Sequence, residues 1–137
     1  MQRWIWVFVA GFLAVFCFHQ VALGLLHAAG VVPFAPFNLA TTKPLGVPSV
    51  ISGAFFGGLW ALVMIAVLDR IGSGMIWPKA ALFGGVVLTL VALLVVFPLK
   101  GMAFAGNWDP KIWVGAALLN GAWGFGVALL MQWLGRR

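Results

Sequence analysis

Charged residues divide this chain into long apolar runs: residues 4–42, 44–68, 80–99 and 112–135 contain no Lys, Arg, Asp or Glu. Each run can hold the roughly 20 apolar residues that carry a helix across a bilayer. The runs are continuous rather than alternating, which favours helices over the strands of a barrel. In hydrocarbon every backbone N–H and C=O needs a partner within the protein, and a helix supplies one locally. The pattern therefore predicts an all-α, polytopic integral membrane protein. Its helices are expected at about 4–28, 48–68, 80–97 and 111–134, in a single transmembrane domain spanning 1–137.

Proline and glycine mark the breaks. Pro33, Pro36, Pro44 and Pro48 exclude a regular helix interior over 29–48, since proline lacks an N–H and clashes with the preceding turn. That loop is unusually apolar, with Val31, Val32, Phe34, Phe37 and Leu39, and is expected to fold back onto the helix ends or to rest at the interface. Asp69 to Lys79 reads as a short turn with Gly72, Gly74 and Pro78, and Pro98 to Pro110 as a second loop. The N-terminal apolar stretch is too long for a signal-peptide core and is read as the first span.

Composition agrees with a lipid-facing surface. The chain is 64% hydrophobic and 7% charged, where a soluble domain carries about 25% charged residues. The net charge of +6 comes from basic residues scattered at helix ends, not from a contiguous patch that would grip nucleic acid. Anionic lipid headgroups are the expected partners of these cations. Arg3, Arg70, Lys79, Arg136 and Arg137 fall on the side of the termini, and Lys43, Lys100 and Lys111 on the other. The excess predicts both termini in the cytoplasm. Trp4, Trp6, Trp77 and Trp133 then lie at the inner interface, and Trp108 and Trp113 at the outer one, as an aromatic belt requires.

The two halves are alike in sequence. A shift of 63 places Gly58-Leu59-Trp60 on Gly121-Ala122-Trp123, and a shift of 70 places Val21-Ala22-Leu23 on Val91-Ala92-Leu93. Two similar hairpins, a possible parallel internal repeat, are expected to be related by an axis along the membrane normal.

Two groups of residues stand out within the spans. Small residues recur at spacing four: Gly53, Gly57 and Ala61 on the second helix, and Ala116, Asn120, Gly124 and Ala128 on the fourth. Such stripes allow close backbone approach, so the second and fourth helices are expected to touch each other or a second subunit. The other group is polar. His19, Gln20, Thr89 and Asn120 all fall about 12 Å below the outer helix ends. Polar groups at that depth must be paired or hydrated. They read either as an interhelical clasp, with His19 bonded to Asn120, or as a pocket opening outward.

Catalytic and cofactor chemistry find little support. His19 and His27 lie eight residues apart on one helix, about 12 Å along its axis, so they cannot both ligate one haem iron. Cys pairs and carboxylate clusters for a metal are missing from the sequence. Cys17 is the one cysteine and reads as a small hydrophobe. No span holds an acidic residue for proton-coupled transport, and the essential Glu of the small multidrug transporters has no counterpart. The diagnostic motifs of the four-helix fluoride channels have no match either. Neither a catalytic residue nor a cofactor nor a metal is expected.

The pieces Phe18-His19-Gln20, Ala35-Pro36-Phe37-Asn38 and Asn120-Gly121-Ala122-Trp123-Gly124 resemble a group of small uncharacterised bacterial inner-membrane proteins. The resemblance implies four spans and a bacterial source, and brings no activity. The expected function is non-catalytic: a packing or accessory element in a homo-oligomer or a larger membrane complex. The alternative is a small transporter or channel with an outward-facing polar pocket near His19 and Asn120.

Overall fold

The computed structural model describes residues 1–72 and 74–135. Arg136 and Arg137, counted in the charge asymmetry above, lie outside the described residues. Four helices are long and apolar enough to cross a membrane: α1 Gln2–Ala28, α2 Ser49–Ile71, α3 Ile76–Leu99 and α4 Pro110–Leu134. A minimal antiparallel ribbon, β1 Thr41–Thr42 against β2 Val47–Pro48, lies in the first connection.

The helix limits differ from expectation where proline was read as a boundary. Helix α3 starts at Ile76, so Pro78 falls in its first turn. There the missing N–H has no intrahelical acceptor to lose. At the other end α3 continues through Pro98 to Leu99. A π-helical turn, Ala92–Val96, immediately precedes that proline. Two further π segments occur, Val15–His19 in α1 and Gly84–Leu88 in α3. Asp109 caps α4 by accepting from the Lys111 backbone N–H at 2.9 Å, and Pro110 occupies the first helical position.

Packing follows the small residues. Helices α1 and α4 form the centre, with α2 against α1 and α3 against α4. A Cβ added to Gly11 would strike the Ala61 side chain and the Gly57 carbonyl. One added to Gly84 would strike the Asn120 carbonyl, and one on Gly124 the Ala80 carbonyl. Within each hairpin, backbone therefore rests on backbone, which maximises dispersion contact between helices in lipid. Of the two expected contacts for the stripes, α2 with α4 or with a second subunit, the first is limited to one approach. Those two helices approach at Gly57, whose added Cβ would lie 3.3 Å from the Trp123 indole nitrogen. The stripes are spent inside each hairpin because α1 and α3 carry small residues, Gly11 and Gly84, at the matching levels.

The half of the bundle near the termini is closed. Val7, Ala10, Ala14, Ala61, Met64, Ile65, Val127 and Ala128 are fully buried there. Outward-facing side chains such as Leu25, Leu82 and Val86 are exposed and apolar. At the terminal rim the Arg3 guanidinium donates to both carboxylate oxygens of Asp69, at 2.7 and 2.9 Å, joining α1 to α2.

The loop after α1 folds back as expected, and it goes deep. The Phe37 backbone N–H donates to Gln20 Oε1 at 2.6 Å, and Gln20 lies about 12 Å along the helix from the end of α1. Val32 is buried with Leu23 and Leu119, and Phe34 meets the Phe97 ring edge-on at 6.1 Å. Non-helical backbone at this depth is tolerated only where protein or a cavity surrounds it. In the second loop Ala105, Asn107 and Trp108 have positive φ, a conformation costly for residues with a Cβ. The Trp113 indole N–H steadies that turn by donating to Ala105 O at 2.9 Å, and its ring stacks on Trp108.

Candidate functional site

A cavity of about 610 Å³ occupies the loop-side half of the bundle, and all four helices and both loops contribute to its walls. Its volume is that of a small-molecule pocket. It exists because α2 meets α3 chiefly along Ile76–Phe83, next to their connecting turn. Beyond that point the helices diverge and leave a gap. Val15, Gly57 and Trp123 lie at the deep end, Lys100 and Asn38 at the mouth.

All three π segments border this space: His19 from the first, Leu88 from the second, and Ala92, Leu93 and Val96 from the third. A π turn adds a residue to the helical repeat and so re-aims the side chains that follow it, which is why such turns gather at functional sites. In α1 the change has a local consequence. The Val15 N–H bonds Phe12 O instead of Gly11 O. The Trp123 indole N–H donates to Gly11 O at 3.1 Å in a buried contact. Trp123 thus inserts its donor into the backbone ladder of α1 and closes the cavity below.

The predicted polar residues divide into two pairs. Asn120 Nδ2 donates to Thr89 Oγ1 at 3.2 Å, joining α4 to α3. Gln20 Nε2 lies 3.4 Å from His19 Nδ1. The expected hydrogen bond between His19 and Asn120 is not formed. Asn120 bonds Thr89 across the tight α3–α4 contact instead, and His19 meets Gln20 on its own helix. His19, Gln20 and Asn120 line the cavity; Thr89 is buried behind it.

The network sets the His19 tautomer. Gln20 Oε1 accepts from a backbone N–H, so the Gln20 amide nitrogen is the group turned toward His19 Nδ1. Nδ1 is then the acceptor and the neutral ring carries its proton on Nε2. That N–H makes no hydrogen bond among the described residues, and neither does the indole N–H of Trp60. The His19 and Trp60 side chains both line the cavity, and each is only partly buried. The sequence signal for Trp60 is its position deep in the second apolar run, where an indole N–H needs a partner.

The small-residue stripes divide as well. Ala61, Gly124 and Ala128 are buried in packing, and Gly57, also buried, packs on α1 at the deep end of the cavity. Gly53 and Ala116 line the cavity nearer its mouth, and nothing lies within 4 Å of a Cβ added to Gly53. His27 lies away from this group, with Nδ1 at 3.2 Å from Val32 O. Cys17 is exposed on the surface of α1. Among the described residues, no group of three or more His, Cys, Asp or Glu could hold a metal ion. Comparison with family models, curated proteins and solved structures returned no match to this chain.

Proposed function

We propose that this chain is a small non-catalytic integral membrane protein that holds a small, largely apolar molecule in its outer half. In this reading it is an accessory element of a bacterial inner membrane, acting as a homo-oligomer or within a larger complex, with both termini in the cytoplasm. The observation that carries it is the asymmetry of the bundle: a cavity of about 610 Å³ in the loop-side half, against a core of fully buried side chains in the half near the termini. A clasp alone would need no such space, since the Thr89–Asn120 bond forms without it. Orientation and bacterial source rest on the Lys and Arg distribution and on the resemblance described above.

The parallel repeat belongs to the same proposal. Close contacts in the hairpins are equivalent under the sequence shifts: Gly11 against Ala61 corresponds to Ala81 against Gly124. The π segments Val15–His19 and Gly84–Leu88 fall one residue from equivalence. Cavity-lining Gly53 and Ala116 are also counterparts.

Native mass spectrometry of the gently solubilised protein tests the holding function and reads the oligomeric state together. The expected result is a protein peak with added small-molecule mass, which Gly53→Phe or Ala116→Phe removes. Apo protein alone, unchanged by either substitution, would overturn it. A second reading, a small transporter, draws on the π segments around the cavity, since movement would require the sealed floor at Trp123 to open. Substrate flux into liposomes, abolished by the same substitutions, distinguishes it from holding alone.

A further inference from the structure

We propose that the ligand of this cavity is an uncharged lipid-like molecule bearing a carbonyl oxygen, which enters sideways between α2 and α3. The inference rests on the holding function above and specifies its ligand. Its first basis is the pair of unpaired donors. The His19 and Trp60 side chains both line the same space, and neither His19 Nε2–H nor the Trp60 indole N–H has a hydrogen-bond partner among the described residues. A donor left unpaired in an apolar surrounding costs free energy, and an acceptor oxygen on the occupant satisfies a donor that it reaches. The occupant must therefore bring an acceptor.

The second basis is charge. At the depth of His19 the cavity has no Lys, Arg, Asp or Glu in its lining; its one cation, Lys100, lies at the mouth. A carboxylate or phosphate at His19 would be desolvated about 12 Å from the helix end without a counter-ion. An anionic amphipath would keep its head beside Lys100 and leave the deep donors unpaired. A neutral ketone, ester or quinone-like oxygen meets the donors without that penalty.

The third basis is the route. Gly53 and Phe56 line the cavity and are accessible, and α2 meets α3 chiefly next to their connecting turn, so a gap is left between α2 and α3 beside the cavity. On the far side of the gap Val91 and Ala92 present apolar carbons. A hydrocarbon chain can leave through this gap into the acyl region of the outer leaflet, while the mouth toward water is occupied by the re-entrant loop. Phe34, Ala35 and Asn38 of that loop line the cavity from above.

Three photoreactive probes with the same sixteen-carbon diazirine chain test the proposal: a methyl ester, its free acid and the oxygen-free alkane. The full chain in lipid nanodiscs is irradiated with each, and labelled peptides are mapped by mass spectrometry. The expected result is ester labelling on α2 and α3 at about tenfold lower concentration than acid or alkane, one hydrogen bond's worth of preference. His19→Phe and Trp60→Phe should remove the ester's advantage, and His19→Gln, which retains a donor, should restore part of it. Gly53→Phe should block all three probes. Equal labelling by ester and alkane, or stronger labelling by the acid that depends on Lys100, overturns this inference while leaving the cavity a binding site. Absence of cavity labelling by every probe instead overturns the holding function itself.

Discussion

A single indole illustrates how this bundle treats polar atoms. Trp123 is buried at 2% exposure, and its N–H goes to the one carbonyl of α1 that the Val15 N–H bypasses. Trp123→Phe keeps the ring but removes the donor, and it should lower stability in detergent by about 1–3 kcal/mol. Trp60→Phe, whose N–H has no partner among the described residues to lose, should cost less than that; equal losses in a denaturation series would contradict the assignment. The Thr89–Asn120 bond can be checked in the same way. A double-mutant cycle of Thr89→Val with Asn120→Leu should give a coupling of about 1 kcal/mol. His19→Leu with Asn120→Leu should be additive, because no hydrogen bond joins them.

At the scale of the helix pair, small residues decide which helices touch. Gly57→Val would place its Cβ 2.6 Å from Val15 Cγ2, and Gly84→Val would meet the Asn120 carbonyl. Backbone cannot retreat without separating the whole helix pair. Each substitution should therefore destabilise its hairpin by about 1–3 kcal/mol or more, measured as loss of reversible refolding from denaturing detergent. Gly53→Ala, where the added methyl enters open space, is the control and should be neutral. The π segments act at this scale too. They let α3 accept Pro98 and place successive cavity-lining residues on one side, at the expense of regular i→i+4 bonding.

For the whole molecule, the Arg3–Asp69 pair at 2.7 Å ties the terminal rim, yet the two side chains are 53% and 46% exposed. Water and salt screen such a pair, so Asp69→Asn should change stability by less than about 1 kcal/mol. The basic residues matter more for orientation than for folding. A fluorescent protein fused to the C-terminus should fold and glow in the cytoplasm, and a phosphatase active only outside should work in the loop holding Lys43. The reverse pattern would invert the topology read from the charges.

Helix number was legible in the sequence because lipid admits few structures: an apolar run without charges must satisfy its own backbone, and a helix does so locally. The depth of His19, Gln20, Thr89 and Asn120 was legible for a similar reason, since rise per residue is constant along a helix. Their partners were not. Which side chain meets which depends on helix rotation, and the π turn at Val15–His19 alters rotation by a residue without an obvious sequence signal. Proline was over-read as a boundary because its cost vanishes in a first turn and is absorbed beside a π turn. The small-residue stripes announced close packing, but the same spacing served both contact and void: Gly57 closes on α1 while Gly53, one turn away, faces open space. The cavity itself was a tertiary outcome. It arises because α2 and α3 diverge beyond Phe83, and the divergence of helices joined at one end is set by all their other contacts, not by either sequence alone.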